Sequence, residues 1–187
     1  GPQLFVSATN VRTGKIRVFG GAEVTTQAIL ASACLPTVFQ AVGVHDPAAG
    51  GKEYYWDGGY SGNPALFPLY DRDLPRDIVL VNINPFQRKA VPRNAEQIAD
   101  RINEISFNAT LLSELRAINF TKRLIASGAV SGTAMKDVLL HLVGDDHLMS
   151  ELGAETKVLP TKGLLERLKL GGRRAADACC RRARARP

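Results

Sequence analysis

The carboxylate best placed for chemistry is Asp57, which directly follows a short apolar run and precedes Gly58 and Gly59. The run Tyr54–Trp56 predicts a strand, so Asp57 would stand where that strand ends. Two glycines without Cβ atoms allow a backbone or a substrate to approach closely. A carboxylate in such a place can act as a general base. Taken alone, however, Asp-Gly is a common turn dipeptide, and a turn is the simpler interpretation.

The other chemically interesting side chains form no supporting pattern. His45, His141 and His147 could suggest a Ser–His–Asp triad, but their spacing does not support one, and we expect structural roles. Asp145 and Asp146 could hold a cation, although adjacent acids point apart and more often cap a loop or helix. The chain has no C-x-x-C pair and no H-x-x-x-H spacing, so we expect neither a metal nor a cofactor.

The positive charge is concentrated at the end of the chain. The net charge is +6, and residues 171–187 hold six arginines against Asp177, a net of +5, which leaves about +1 for the rest. Such a tail can attract phosphate in nucleic acid or on an anionic membrane surface, although a solvated terminus is more common. The near-neutral body argues against nucleic acid as a partner.

Composition sets the class of protein. The 187 residues are 45% hydrophobic and 22% charged, which is typical of one soluble globular domain. An odd number of cysteines (Cys34, Cys179, Cys180) argues against a disulfide framework and favours a reducing compartment. No stretch is apolar enough to cross a bilayer, and no signal segment follows Gly1-Pro2, which is typical of a tag remnant. We expect a cytoplasmic protein, with peripheral attachment to a membrane as an added option.

Several elements would position Asp57. A hairpin of strands Leu4–Thr9 and Ile16–Phe19 is predicted around the turn Thr13-Gly14. Thr25 or Thr26 would cap a helix of small residues, which runs through Ala33 and stops at Pro36. Two short strands follow, Val42–Val44 and Tyr54–Trp56, joined by the loop Asp46–Lys52. Tyr55 and Trp56 alternate about the second strand, so one belongs to the core and the other could line a substrate site.

The second half of the chain predicts a buried strand and a long helix. Asp77–Asn84 is nearly all apolar, as in a strand covered on both faces of an α/β sheet. Asn94 would cap a helix that ends at Gly128 and changes phase near Arg116. An apolar stripe should turn one side of this helix to the core, with insertion into a membrane as the alternative: Ile98, Ile102, Ile105, Ala109 and Leu112. A late strand, Val138–Val143, and two closing helices, Leu164–Leu170 and Arg173–Cys180, complete the prediction.

Seven segments together resemble the patatin-like phospholipase family over nearly the whole chain. They are L-F-V-S-A-T-N, A-S-A-C-L-P-T-V-F, Y-W-D-G-G-Y with N-P-A-L-F, D-I-V-L-V-N-I-N-P, and R-I-N-E-I-S-F-N, with G-R-R-A-A-D-A near the end. The resemblance implies a three-layer α/β/α fold and a lipid acyl hydrolase with a Ser–Asp dyad. In that family the Asp of the D-G-G box is the general base toward the serine, so Asp57, with Gly58 and Gly59, takes this position.

Two motifs of that family are missing from the chain, namely the Gly-rich oxyanion loop and the G-x-S-x-G nucleophile elbow. The run Gly59–Asn63 imitates the elbow but ends in Asn and precedes Pro64, so we do not expect Ser61 to be the nucleophile. In the family the serine precedes the Asp, which would put it upstream of Leu4. We therefore expect residues 3–180 to be the C-terminal part of a patatin-like domain and residues 181–187 a basic tail.

The leading hypothesis is the base-supplying half of a serine lipid acyl hydrolase, inactive alone. Its partners would be a lipid or acyl-ester substrate, an optional membrane surface, and the upstream half of the same enzyme. Without that half, Ile78, Leu80 and Ile83 should face solvent or a partner and promote association. The alternative is a non-catalytic module that binds lipid or protein through its open sheet and Arg-rich tail.

Overall fold

The computed structural model describes residues 1–152, 156 and 159–184, and combines helices with β-sheets in a general α/β architecture. The chain forms two compact units. The first contains Gly1–Asp71 and Ser106–Phe120, and the second contains Arg72–Ile105 and Thr121–Pro187.

The first unit is built on a four-stranded antiparallel sheet. Its strands are β1 (Phe5–Asn10), β2 (Ile16–Gly20), β3 (Val42–Asp46) and β4 (Gly51–Asp57), in the order β2-β1-β4-β3. The predicted hairpin is confirmed, and its turn uses Gly14 at a φ of 67°, a conformation that glycine adopts without strain. Ala8 of β1 lies opposite Asp57 of β4, so the end of β4 is held in the sheet.

Small side chains let the first helix pack closely on this sheet. Helix α1 (Thr26–Ser32) begins at Thr25, whose hydroxyl accepts the Ala28 N–H, as predicted. Ala28 and Ala31 are fully buried and join a core that also contains Ala8, Phe19, Val44 and Tyr55. The edge-to-face rings of Phe19 and Tyr55, 5.5 Å apart, form the bulkiest part of this core.

The long helix forms as predicted, but it buries a different face. Helix α2 (Ala95–Ala126) begins at Asn94, which accepts the Gln97 N–H, and it gives way to Gly128 at a φ of 73°. The predicted core stripe was wrong, since Ile98 (44% exposed), Ile102 (60%), Ile105 (52%), Ala109 and Leu112 (41%) all face solvent. The buried side carries Glu104, Phe107, Asn108 and Leu111. Polar residues on that side concealed its phase in the sequence.

The second unit contains a two-stranded parallel sheet. Strand β5 (Asp77–Asn82) pairs in parallel with β6 (Leu139–Gly144), which confirms both predicted strands. The expectation that β5 is covered on both faces was wrong. Ile78 and Leu80 are buried, whereas Val79, Val81 and the following Ile83 are 63%, 67% and 65% exposed. Ile78, Leu80 and Ile83 were expected to be exposed, but only Ile83 is exposed.

One continuous helix replaces the two predicted closing helices. Helix α3 (Asp146–Ser150) is capped by Asp145, and α4 (Lys162–Arg184) runs through Gly171-Gly172 without a break. A Cβ at Gly171 would lie 2.3 Å from a methyl group of Leu148, so this glycine allows close packing instead of ending a helix. Residues 185–187 of the predicted basic tail lie outside the described residues. None of the helices in the described ranges has both the length and the apolar character to cross a bilayer.

Candidate functional site

Asp57 is held from both sides at the end of β4. Its N–H donates to the Cys34 carbonyl (2.8 Å), and its carbonyl accepts the Thr9 hydroxyl (2.8 Å). These bonds join the D-G-G box to β1 and to the segment after α1, which is part of the run A-S-A-C-L-P-T-V-F. The carboxylate Oδ1 accepts the Gly59 N–H at 2.7 Å and so caps the short 3-10 turn Gly58–Tyr60. The chain therefore fixes the Asp57 backbone and orients its carboxylate.

The two glycines of the box are required for space. A Cβ on Gly58 would lie 2.2 Å from the Ser7 carbonyl oxygen, and a Cβ on Gly59 would lie 2.2 Å from the Phe107 ring. Neither glycine adopts a positive φ. The close approach predicted from the motif is real, but the groups that approach are the protein's own backbone and a phenyl ring. Gly58 and Gly59 seat the turn against β1 and α2.

The charge of Asp57 reaches two ionisable neighbours. Burial, and then the Asp57 carboxylate, raise the pKa of the Cys34 thiol. The same two causes, in the same order, raise the pKa of the Tyr60 phenol. Cys34 is 4% exposed, and its thiol donates to the Gln40 carbonyl, so it remains protonated and is a poor nucleophile. The half-buried Asp57 thus faces protonated, neutral groups.

Ser61 is tied to β1 by its hydroxyl. The Thr9 hydroxyl gives its single proton to the Asp57 carbonyl, so Ser61, 2.7 Å from Thr9 Oγ1, must be the donor in their bond. Ser61 and Gly62 also line a shallow cavity of about 380 Å³ whose apolar walls include Ile16 and Phe67. The structure therefore gives Ser61 a supporting role beside the turn.

Tyr55 and Trp56 divide as the alternation predicted, with Tyr55 in the core and Trp56 half-buried. The indole N–H of Trp56 is buried, and among the described residues it has no hydrogen-bond partner. A buried N–H without an acceptor is rare in folded proteins.

A buried charged network in the first unit escaped the sequence analysis. The Arg17 guanidinium contacts both Asp46 carboxylate oxygens at 2.9–3.1 Å and also binds Glu23, while the Tyr55 hydroxyl donates to Asp46. Asp46 is 2% exposed. The Arg17 bonds lower the pKa of Asp46, and burial, followed by the Asp46 bond, raises the pKa of Tyr55 to about 12. The network links β2, β3 and β4, and Asp46 had been assigned only to a loop.

The histidines and the acid pair do not converge on one site. His45 is exposed, His141 lies 2.6 Å from Asp77, and His147 lies 3.2 Å from Glu151. Asp145 accepts the Leu148 N–H, the capping role expected for it. In the parts of the chain that the structure describes, no group of three or more His, Cys, Asp or Glu side chains could hold a metal ion.

The second unit contains a separate cavity that the sequence did not predict. Its volume is about 360 Å³, and it lies at the carboxyl ends of β5 and β6, beside Asn82 and Gly144. Its lining is mostly apolar, and its charged wall is the ion pair of Arg88 with Glu104, which Arg101 also contacts. In the sequence, the run N-I-N-P at the end of β5 was the signal that could have indicated this cavity.

Comparisons with known proteins leave the chain without a match: no protein-family model, no curated protein and no solved structure corresponds to it. The patatin-like resemblance therefore rests on the quoted motifs, and the function built on it is a proposal.

Proposed function

We propose that this chain is the base-supplying half of a serine lipid acyl hydrolase, in which Asp57 takes the proton of a serine on a segment that the chain does not contain. The observation that carries the proposal is the oriented Asp57 carboxylate at the end of β4, within the seven segments that resemble the patatin-like family. The fold expected of the complete domain is the three-layer α/β/α arrangement.

The surroundings of Asp57 suit a general base. A serine hydroxyl is a weak nucleophile, and a fixed carboxylate within hydrogen-bond reach can accept its proton as the hydroxyl oxygen attacks an ester carbonyl. The Gly59 N–H holds the direction of the Asp57 carboxylate. A carboxylate accepts about four hydrogen bonds, so one bond to the turn is compatible with a second role. Partial burial reduces the competition from water.

The second unit supports an incomplete enzyme. The exposed face of β5 carries Val79, Val81 and then Ile83, although parallel strands are normally covered on both faces. In the described part of the chain, β5 pairs only with β6. An added strand would satisfy the open edge, and a helix following it would cover the valines. The segment that supplies the serine in this proposal would do both.

A capping role alone is the simpler interpretation of Asp57, and two substitutions separate the interpretations. Asp57→Asn keeps an oxygen that can accept the Gly59 N–H but is no longer a base. Asp57→Ala removes both functions and should also cost about 1 kcal/mol of stability, as loss of a cap usually does.

The experiment uses this chain extended by the sequence encoded upstream of it, with a short-chain acyl ester as substrate. If Asp57 is the base, Asp57→Asn lowers kcat by at least about a hundredfold, with the unfolding free energy little changed. Undiminished kcat in Asp57→Asn would reject the proposed role and leave Asp57 as a cap.

A further inference from the structure

The net positive charge of this protein equals that of one helix. Helix α4 contains eight lysines and arginines and only two acids, Glu166 and Asp177, so its net charge of +6 equals that of the whole chain. The remaining sequence is balanced. Most of the arginines that were expected in a terminal tail therefore lie on a helix.

Several cations of α4 lie on the side away from its packed face, whereas Arg182 lines a cavity with Leu140 and His141 of β6. The packed side includes the buried Gly171 and the half-buried Leu164, Leu168 and Ala175, and it faces β6. Spacings of seven and four residues put Lys162, Lys169 and Arg173 together on the opposite side. These three, together with Arg174 and Arg181, are exposed. Arg167 is engaged separately by Glu151.

Exposed leucines accompany the cations. Leu165 and Leu170 are each 54% exposed. Leu165 lies three residues after Lys162 and four before Lys169, and Leu170 lies three and four residues before Arg173 and Arg174. Residues at these spacings are neighbours on a helix surface. Each leucine is therefore flanked by two positive charges.

We propose that this face of α4, which we call the cationic face and define by Lys162, Leu165, Lys169, Leu170 and Arg173, binds a membrane surface containing anionic lipid. Cations are drawn to the phosphates and carboxylates of such a surface, and leucines beside them can enter the boundary between headgroups and acyl chains. The helix would lie on the membrane with its packed side still on β6.

The same charge fits nucleic acid less well. Helix α4 contains no Phe, Tyr or Trp on which a base could stack. Exposed leucines contribute nothing to phosphate contacts, whereas they add affinity for a lipid surface. The inference deepens the proposed function by naming where a lipid-active protein meets its substrate, but Asp57 takes no part in it.

The test is sedimentation of the full 187-residue chain with vesicles of phosphatidylcholine, with and without phosphatidylserine. We expect binding only when phosphatidylserine is present, and weaker binding as salt rises above about 0.15 M. Lys169→Gln with Arg173→Gln should weaken binding about thirtyfold, because each cation near an anionic surface contributes about 1 kcal/mol. Leu165→Ser with Leu170→Ser should weaken it about tenfold without changing its salt dependence.

The matched control is Lys15→Gln with Lys89→Gln, which removes the same charge from exposed positions outside α4 and should change binding less than twofold. A second pair, Lys162→Gln with Arg181→Gln, should repeat the loss if the first pair perturbs folding. The proposal fails if both α4 pairs bind like the control, or if vesicles without phosphatidylserine bind equally well. Capture of duplex DNA or single-stranded RNA, with no vesicle binding at the same salt, would also overturn it. Because Asp57 is untouched, none of these outcomes decides the catalytic proposal.

Discussion

The sheets of the two units differ in how completely their strands are paired and covered. In the first, the central strands β1 and β4 are each paired on both sides, and the buried Asp46 is paired with the half-buried Arg17. In the second, the described residues give β5 and β6 only each other as partners, and a row of valines on β5 is left in solvent. The first unit pairs its central strands and its most buried carboxylate internally, whereas the second leaves one face of β5 exposed among the described residues.

This difference predicts that substitutions in the first unit change folding stability, whereas substitutions on the exposed face of β5 change association. Changes in the buried network or the D-G-G turn should reduce the free energy of unfolding, because their contacts lie within the first unit. Changes on the exposed face of β5 should affect association instead. Four substitutions test this division.

The largest effect is expected for Asp46→Ala. Removing the buried Asp46 carboxylate leaves the Tyr55 hydroxyl without its acceptor and Arg17 with Glu23 alone, and breaking such a pair costs up to about 3–5 kcal/mol. The control is Asp137→Ala in the second unit, where the ion pairs with Arg76 and Lys122 are partly exposed and each is worth about 1 kcal/mol or less. Urea denaturation would measure both. Similar losses in the two variants would show that the first network is not special.

Gly58→Ala should be the next most damaging change. The added Cβ would lie 2.2 Å from the Ser7 carbonyl, and crowding against backbone can cost up to about 3 kcal/mol. Gly51→Ala, at the start of β4, is the matched control, because nothing lies within 4 Å of its Cβ position. The unfolding free energies of both variants test this. A Gly58→Ala protein as stable as Gly51→Ala would contradict the close seating of the turn.

Tyr55→Phe should cost about 1.5 kcal/mol at neutral pH, because it deletes a buried hydrogen bond to a charged group. Burial and the Asp46 bond raise the pKa of Tyr55 from 10.0 to about 12. A raised pKa gives stability that is complete below the unfolded value and is lost as pH rises through the folded one.

The difference in unfolding free energy between the natural chain and Tyr55→Phe should therefore be constant below pH 10 and should decrease as the pH approaches 12. Equilibrium denaturation at a series of alkaline pH values would measure it. A difference that persists unchanged through this range would show that Tyr55 is not stabilised in its neutral form.

The smallest change in stability is expected for Val79→Thr with Val81→Thr, within about 0.5 kcal/mol per site, because both side chains are exposed. Self-association and binding of a hydrophobic dye should nevertheless fall. The buried neighbour provides the contrast, since Ile78→Val should cost about 1 kcal/mol and leave association unchanged. Sedimentation velocity and dye fluorescence are the readouts. Unchanged association in the double variant would mean that the β5 face is not the adhesive surface.

Most secondary-structure elements could be predicted from the sequence because their signals are local. Asn94 accepts a backbone N–H three residues later, and Gly14 adopts a conformation that suits glycine, so capping and turn chemistry identified those boundaries. The phase of α2 could not be predicted. Its buried side includes Glu104, which pairs with Arg101 on the same helix but also with Arg88, whose approach from outside the helix is a tertiary event.

The site was predictable in part. Asp57 and the close approach at its glycines followed from the motif, but the approaching groups, Ser7 and Phe107, come from distant parts of the chain. Asp46 illustrates the limit, since an Asp before Pro indicates a loop locally and only the fold brings Arg17 and Tyr55 to it. The predicted break between two helices at Gly171-Gly172 was wrong for the same reason, because the close approach of Leu148 to Gly171 is a tertiary contact.

The most direct test of the central claim, that Asp57 serves a serine outside this chain, is intact mass after treatment with a fluorophosphonate ester. This reagent forms a stable adduct with an activated serine. It would be applied to this chain, to the chain extended upstream, and to the extended chain with Asp57→Asn. The account predicts an adduct on the extended protein alone, strongly slowed by Asp57→Asn. An adduct on this chain alone would contradict it and would make Ser61 the nucleophile to examine.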